Sequence, residues 1–314
     1  GLAHLQDCVE LERVTLMGTR TGDGTIRALT EKPALRRLFA GNTVTDAGLA
    51  LLRHVPRFTS WSGETPEYSL MGFDAGPTYL GIDGPFSAGG LRALEELDGL
   101  FALNLSWSGS HMHSAGLAAL SALANLGFVA INGDRCDDAA FGQLGALPRL
   151  RMLLAQEPVA TDAGFVALGR SRTLEYLWGR ECPNLTGRGF TALTSLPALR
   201  GLAVSCKFVD LAALATLAQS ATLTALMPMD VSDEGFRHVG RCATLQELWC
   251  MYCADTGDAA TEHIRNLALR SYYAGGTQIT DRSLEILGGM DSFTLFAFHA
   301  CCRFMSGKLV DLAA

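Results

Sequence analysis

The hydrophobic period changes inside every repeat of this chain. In its first half a repeat alternates, as at Leu199, Leu202 and Val204, the spacing of a short strand with one face turned inward. In its second half the apolar residues fall three or more apart, as at Phe165, Leu168 and Leu174, which is helical spacing. Between the halves lies Thr45-Asp46, Thr161-Asp162, Ser232-Asp233 or Thr280-Asp281. Such side chains accept hydrogen bonds from the N–H groups left open at the start of a helix. Strand, turn and helix are therefore predicted in regular succession.

Self-comparison sets the length of the unit. LRSYYAGGTQITDRSLEILGGMDS from Leu269 matches LRMLLAQEPVATDAGFVALGRSRT from Leu150. Unit starts fall at Leu11, Leu35, Phe58, Pro77, Leu100, Leu126, Leu150, Leu174, Leu199, Leu223, Leu245, Leu269 and Phe293. From Leu100 the intervals are 26, 24, 24, 25, 24, 22, 24 and 24 residues, so a solenoid of 12–13 units of about 24 residues is expected. A single domain over 1–314 follows, with a parallel sheet lining one side. The stretch 58–77 has no clean turn signal and is expected to be an irregular unit or loop. GLAHLQDCVEL (Gly1–Leu11) aligns with GLALLRHVPRF (Gly48–Phe58), the helical half of a unit, so the domain reads as starting in mid-repeat.

TVTDAGLALL (Thr43–Leu52) and TQITDRSLEIL (Thr277–Leu287) carry the pattern most fully. With these residues the chain resembles the leucine-rich repeat family, in its bacterial and cysteine-containing, ribonuclease-inhibitor-like forms, over nearly its whole length. The resemblance implies an α/β horseshoe with the sheet on the concave face and helices on the convex face. It also implies a recognition surface for a protein or peptide partner. Fold alone does not fix function.

Composition narrows the partners. Apolar residues make up 48% and charged residues 18%, which excludes a disordered chain. Net charge of −7 argues against nucleic-acid backbones and anionic membrane surfaces. No apolar run reaches the roughly 18–20 residues that span a bilayer. Nine cysteines, an odd number in a chain with a large apolar supply, do not describe a disulfide-stapled secreted domain. A cytoplasmic setting is expected.

Catalytic signatures for phosphate loops, nucleophile elbows, zinc proteases and dinucleotide folds are missing, and no cofactor is expected. Cys250 and Cys253 have the spacing of half a zinc knuckle. Register, however, places Cys250 in the core and Cys253 in a slot shared with Thr19, Cys182, Thr277 and Cys301. No metal site is assigned. His299 with Cys301 and Cys302 falls at the same level, with His299 on the open face. His111 and His113 lie in an enlarged loop, SWSGSHMHSAGL, whose plain reading is solvated surface.

The open face of the sheet carries the strongest candidate site. Position two of successive units reads Phe128, Met152, Tyr176, Gly201, Ala225, Glu247 and Ser271. Position four reads Ala130, Leu154, Trp178, Ala203, Met227, Trp249 and Tyr273, and position six includes Arg180, Ser205, Met229 and Met251. A solvated sheet face is normally polar; this one is apolar and aromatic across several strands. With strands about 4.8 Å apart, Trp178 and Trp249 stand about 14 Å from each other across small residues. A depression between them is predicted, ringed by Arg180, Glu181, Asp230 and Glu247. An apolar centre with a polar rim is the anatomy of a binding site. The competing expectation is that the irregular insert or another subunit covers the stripe.

Two functions are consistent with this reading. The first is a scaffold holding a protein or peptide on Phe128, Met152, Leu154, Tyr176, Trp178, Arg180, Ala203, Met227, Met229, Trp249, Met251, Tyr273 and His299. The second is a binder of a small apolar molecule, or an unconventional enzyme, with Asp230, Glu247 or Glu181 as acid and base in a pocket between the two tryptophans.

Overall fold

The computed structural model describes residues 2–5, 7–70, 76–106 and 114–299. Among these, the alternating halves of the repeats form one parallel sheet whose strands follow one another in sequence order. They are β1 (Arg13–Thr15), β2 (Arg37–Phe39), β3 (Tyr79–Gly81), β4 (Ala102–Asn104), β5 (Phe128–Asn132) and β6 (Met152–Gln156). They continue with β7 (Tyr176–Arg180), β8 (Gly201–Ser205), β9 (Ala225–Met229), β10 (Glu247–Met251), β11 (Ser271–Gly275) and β12 (Leu295–His299). Parallel neighbours need a crossover connection, and the helical half of each unit supplies it. The result is the α/β horseshoe solenoid that the sequence pattern predicts.

Position three is the spine of the core. Leu153, Leu177, Leu202, Leu226, Leu248 and Tyr272 pair in register from strand to strand, and all are fully buried beneath the helices. Twelve of the expected unit starts lead into strands. Phe58 does not: it is buried in a short helix, Pro56–Thr59, and residues 61–69 run on without regular structure.

The Thr-Asp turns do two jobs, of which the sequence pattern exposes one. Thr161 caps its own helix, Asp162–Leu168, by accepting from the Ala163 N–H at 3.2 Å. Its hydroxyl also donates to Asp138 Oδ2 of the preceding unit at 2.8 Å, while the Thr161 and Gly164 N–H groups donate to Asp138 Oδ1 at 2.7 and 3.0 Å. Asp162 repeats this toward Thr186 and Gly189, and Asp258 toward Thr280 and Ser283. Helices of six to eight residues are too short to be stable alone; these carboxylates tie several of them to their neighbours.

Strand β7 carries a bulge. Trp178 pairs with Ala203 but Arg180 pairs with Val204, so one extra residue, Gly179, enters β7. A Cβ on Gly179 would stand 2.8 Å from Cys182 Sγ, too close for any other residue. Arg180 leaves the bulge with φ of 49°, in the left-handed region.

Candidate functional site

Segment 61–70 lies over the sheet as a strap, a second apolar layer on the face opposite the helices. Trp61 stacks on Phe101 with ring centroids 5.7 Å apart. Tyr68 meets Phe128 at 6.4 Å and Tyr176 at 6.0 Å. Leu70 reaches Gly201, where an added Cβ would stand 3.2 Å from Leu70 Cδ2 and 2.2 Å from the Tyr176 ring, so only glycine fits. Arg151 fastens the strap: Nη1 donates to the Pro66 carbonyl at 2.9 Å, and the guanidinium lies 5.3 Å from the Tyr68 ring centre. Its Nε and Nη2 donate to Glu175 at 2.8 and 3.1 Å.

Over β5 to β7 the strap realises the competing expectation, cover by the irregular insert, and corrects the expectation that this part of the stripe is open. Phe128, Met152 and Tyr176, at position two, are 1%, 0% and 7% exposed. The chain covers them itself, because an insert bearing Trp61, Tyr68 and Leu70 gains more by burying that area than by solvating it. The available signal was the apolar spacing within the otherwise polar SWSGETPEYSL (Ser60–Leu70).

The expected depression between Trp178 and Trp249 is also corrected. The two indoles meet edge to face, with centroids 6.2 Å apart and planes at 85°. They lean together over Ala203 and Met227, both of which are buried beneath them. Tyr273 extends the group, 4.6 Å from Trp249. Leu154, Trp178, Trp249 and Tyr273 at position four, and Arg180 and Met251 at position six, remain half-exposed; Met229 is buried. Arg180 Nη2 approaches the Tyr252 hydroxyl at 3.5 Å, bridging β7 to the exit of β10. His299 is the last residue of β12, and only its backbone belongs to the described structure.

Glu247 and Asp230 are not brought together. Ala225 pairs with Glu247, and Asp230 follows Ala225 by five residues, so Glu247 and Asp230 lie about 16 Å apart along the strand direction. Asp230 is exposed and accepts from Ser205 Oγ at 2.6 Å, and Glu181 is exposed at the same end of the face. Carboxylates that share acid and base work on one bond stand much closer, within about 10 Å. Glu247 and Asp230 are therefore too far apart along the face to share one bond. Glu247 is different in environment. Burial raises its pKa, Arg270 lowers it in part, and no ion pair joins the two. Its Oε2 is enclosed without a hydrogen-bond partner among the described residues, as is Trp249 Nε1. Tyr176 and Tyr273 are raised by burial first, and both feel the Glu247 charge.

Cys250 and Cys253 occupy the positions that register assigns. Cys250 is in the core, and Cys253 Sγ lies 3.1 Å from the Pro228 carbonyl and 3.4 Å from that of Met251. Burial pushes Cys182 up to about 12 and Cys250 well above the ordinary thiol range, which keeps both protonated. Cys301, Cys302, His111 and His113 fall outside the described residues. Cavities of about 240 and 250 Å³ lie on the helical side, one against Arg265 and Arg282, the other against Thr194 and Thr216.

This architecture is a leucine-rich repeat solenoid, and similar solved structures share it. Rad7 in the Rad7 and Elc1 complex from yeast superposes with a TM-score of 0.59 at 13% identity, over 95% of this chain and 75% of that one. An internalin from Listeria monocytogenes gives 0.50 at 15% identity, over 95% and 85%. At such identities the likeness concerns the fold. No protein-family model and no curated protein matches the sequence. Among the described residues, no helix is long and apolar enough to cross a membrane.

Proposed function

We propose that the protein is a binding scaffold that holds a protein or peptide on the part of the sheet face beyond the strap. The observation that carries this is the row Leu154, Trp178, Trp249 and Tyr273, half-exposed and continuous, with Met251 and Arg180 beside it. Tryptophan, tyrosine, methionine and arginine are the types enriched where interfaces bury most. A shallow ridge of touching rings, with no gap between the indoles, suits an extended polypeptide better than an enclosed small molecule. The acidic net charge favours protein over nucleic acid as the partner. The buried thiols of Cys182, Cys206, Cys250 and Cys253 and the T-D-x-G-L signature support a cytoplasmic protein of the bacterial, cysteine-containing repeat type.

Photo-crosslinking tests the reading. A benzoylphenylalanine at position 273 should give a discrete adduct in cells of the source organism, lost in the Trp249→Ala background. The same probe at Arg237, on the helical side, should give none. Adducts at 237 but not at 273 would place the interaction elsewhere.

A further inference from the structure

Position two changes character where the strap's contacts end. Phe128, Met152 and Tyr176 are large and lie beneath Tyr68; the next residues are Gly201, touched by Leu70, then Ala225, Glu247 and Ser271. Glu247 is therefore flanked on its sheet row by two small residues, Ala225 and Ser271. Tyr273, on the next strand, is raised by burial and in part by the Glu247 charge. Trp249 follows two residues along the same face of the same strand.

A carboxylate in this setting is incompletely satisfied. Its enclosed oxygen has no hydrogen-bond partner among the described residues, and Arg270 acts on it without forming an ion pair. A carboxyl half removed from water costs free energy that an ordinary scaffold avoids by substitution with glutamine, serine or alanine. Arg270 stands just before β11, and Trp249 and Tyr273, paired in register, lie two positions along the same face. Electron-rich ring faces around a carboxylate favour one kind of guest, a cation with an apolar stem.

We infer that Glu247 is the anchor for a positively charged side chain, arginine or lysine, presented by the polypeptide partner, with Trp249 and Tyr273 packing against its stem. This rests on the scaffold reading above and gives it a specificity: the partner segment is basic at one position. Arginine fits best, since its planar group pairs with a carboxylate and stacks on rings at once. The −7 net charge of the chain draws such a segment toward the protein from a distance.

Phage display of random dodecapeptides against the intact protein tests this directly. Selected peptides should share one Arg or Lys, and replacing that residue by citrulline or norleucine should weaken binding roughly ten- to a hundred-fold. Glu247→Gln should cause the same loss, with no further loss when the neutral peptide meets the Gln variant, and both losses should shrink in 0.5 M salt. Trp249→Ala and Tyr273→Ala should weaken binding of the basic and neutral peptides alike. If peptides depend on Trp249 and Tyr273 but show no basic preference and bind Glu247→Gln normally, the anchor is refuted while the scaffold reading stands. If no selected peptide depends on Trp249 or Tyr273, both are overturned. Equal circular-dichroism melts of the Gln variant and the parent, or a higher melt for the variant, exclude unfolding as the cause of a loss.

Discussion

Arg151 and Pro66 are 85 residues apart in the chain and joined by a hydrogen bond of 2.9 Å. The same guanidinium holds Glu175 through two further bonds and lies against Tyr68. One side chain thus secures the strap to β6 and β7.

Replacing Arg151 by methionine should loosen the strap without disturbing the repeats. The Pro66 carbonyl and Glu175 each lose a donor, at a cost of about 1–3 kcal/mol. Glu64 and Glu67 are exposed on the strap, so a glutamate-specific protease should cleave there several times faster in the variant. Unchanged cleavage would mean that the aromatic contacts hold the strap unaided.

Tyr68→Ala removes the ring that covers Phe128 and Tyr176. Truncating a buried aromatic costs about 3 kcal/mol or more, and here it also uncovers apolar area on the sheet face. Urea unfolding should show the lower stability, and a hydrophobic dye should bind the native variant but not the parent.

Asp162→Ala removes the acceptor for the Thr186 hydroxyl and for the N–H groups of Thr186 and Gly189 at 2.9 and 3.1 Å. Leaving those donors unmet should cost about 1–3 kcal/mol. Asp162→Asn should recover part of the loss, since its amide oxygen still accepts. Urea midpoints of the three proteins check the order.

Glu247 predicts a pH-dependent gain in stability on mutation. Its pKa is raised in the folded state by burial, with Arg270 offsetting part of the shift. The folded protein therefore takes up a proton more readily than the unfolded chain, and stability falls as pH rises from the unfolded value toward the folded one. Glu247→Gln should melt higher than the parent at pH 7, by less than about 1 kcal/mol after solvent screening. The gap should close below pH ~4, where both states are protonated. A gap of equal size at both pH values would point to packing instead of charge.

The fold was legible because its signals are local and repeated. Leu177, Leu202 and Leu248 recur at fixed distances, and Thr161-Asp162 marks a helix start within a few residues. Position six, Arg180 and Met251, and the aromatic row were readable by the same counting. Two things were not. The contact of Trp178 with Trp249 depends on how far large rings lean when Ala203 and Met227 give them room, and strand spacing is silent about that. The strap's contacts join residues dozens of positions apart, from Tyr68 to Tyr176 and from Pro66 to Arg151, with no period to betray them. Asp162 reads as a helix-start residue, yet its oxygens accept from Thr186 and Gly189 of the next unit, a relation that appears only once the units are stacked.

A solenoid is ordinarily a one-dimensional assembly in which each unit is coupled only to the two beside it. The strap breaks that rule. By touching Phe101, Phe128, Tyr176 and Gly201, it couples β4 through β8 into one cooperative block. Native-state hydrogen exchange should find those strands opening together at a single free energy, while β9 to β12, which the strap does not touch, open separately from that block. The row proposed for binding spans that boundary, from Leu154 and Trp178 in the block to Trp249 and Tyr273 in the looser units, so an occupant would extend the cooperative block toward the end of the sheet.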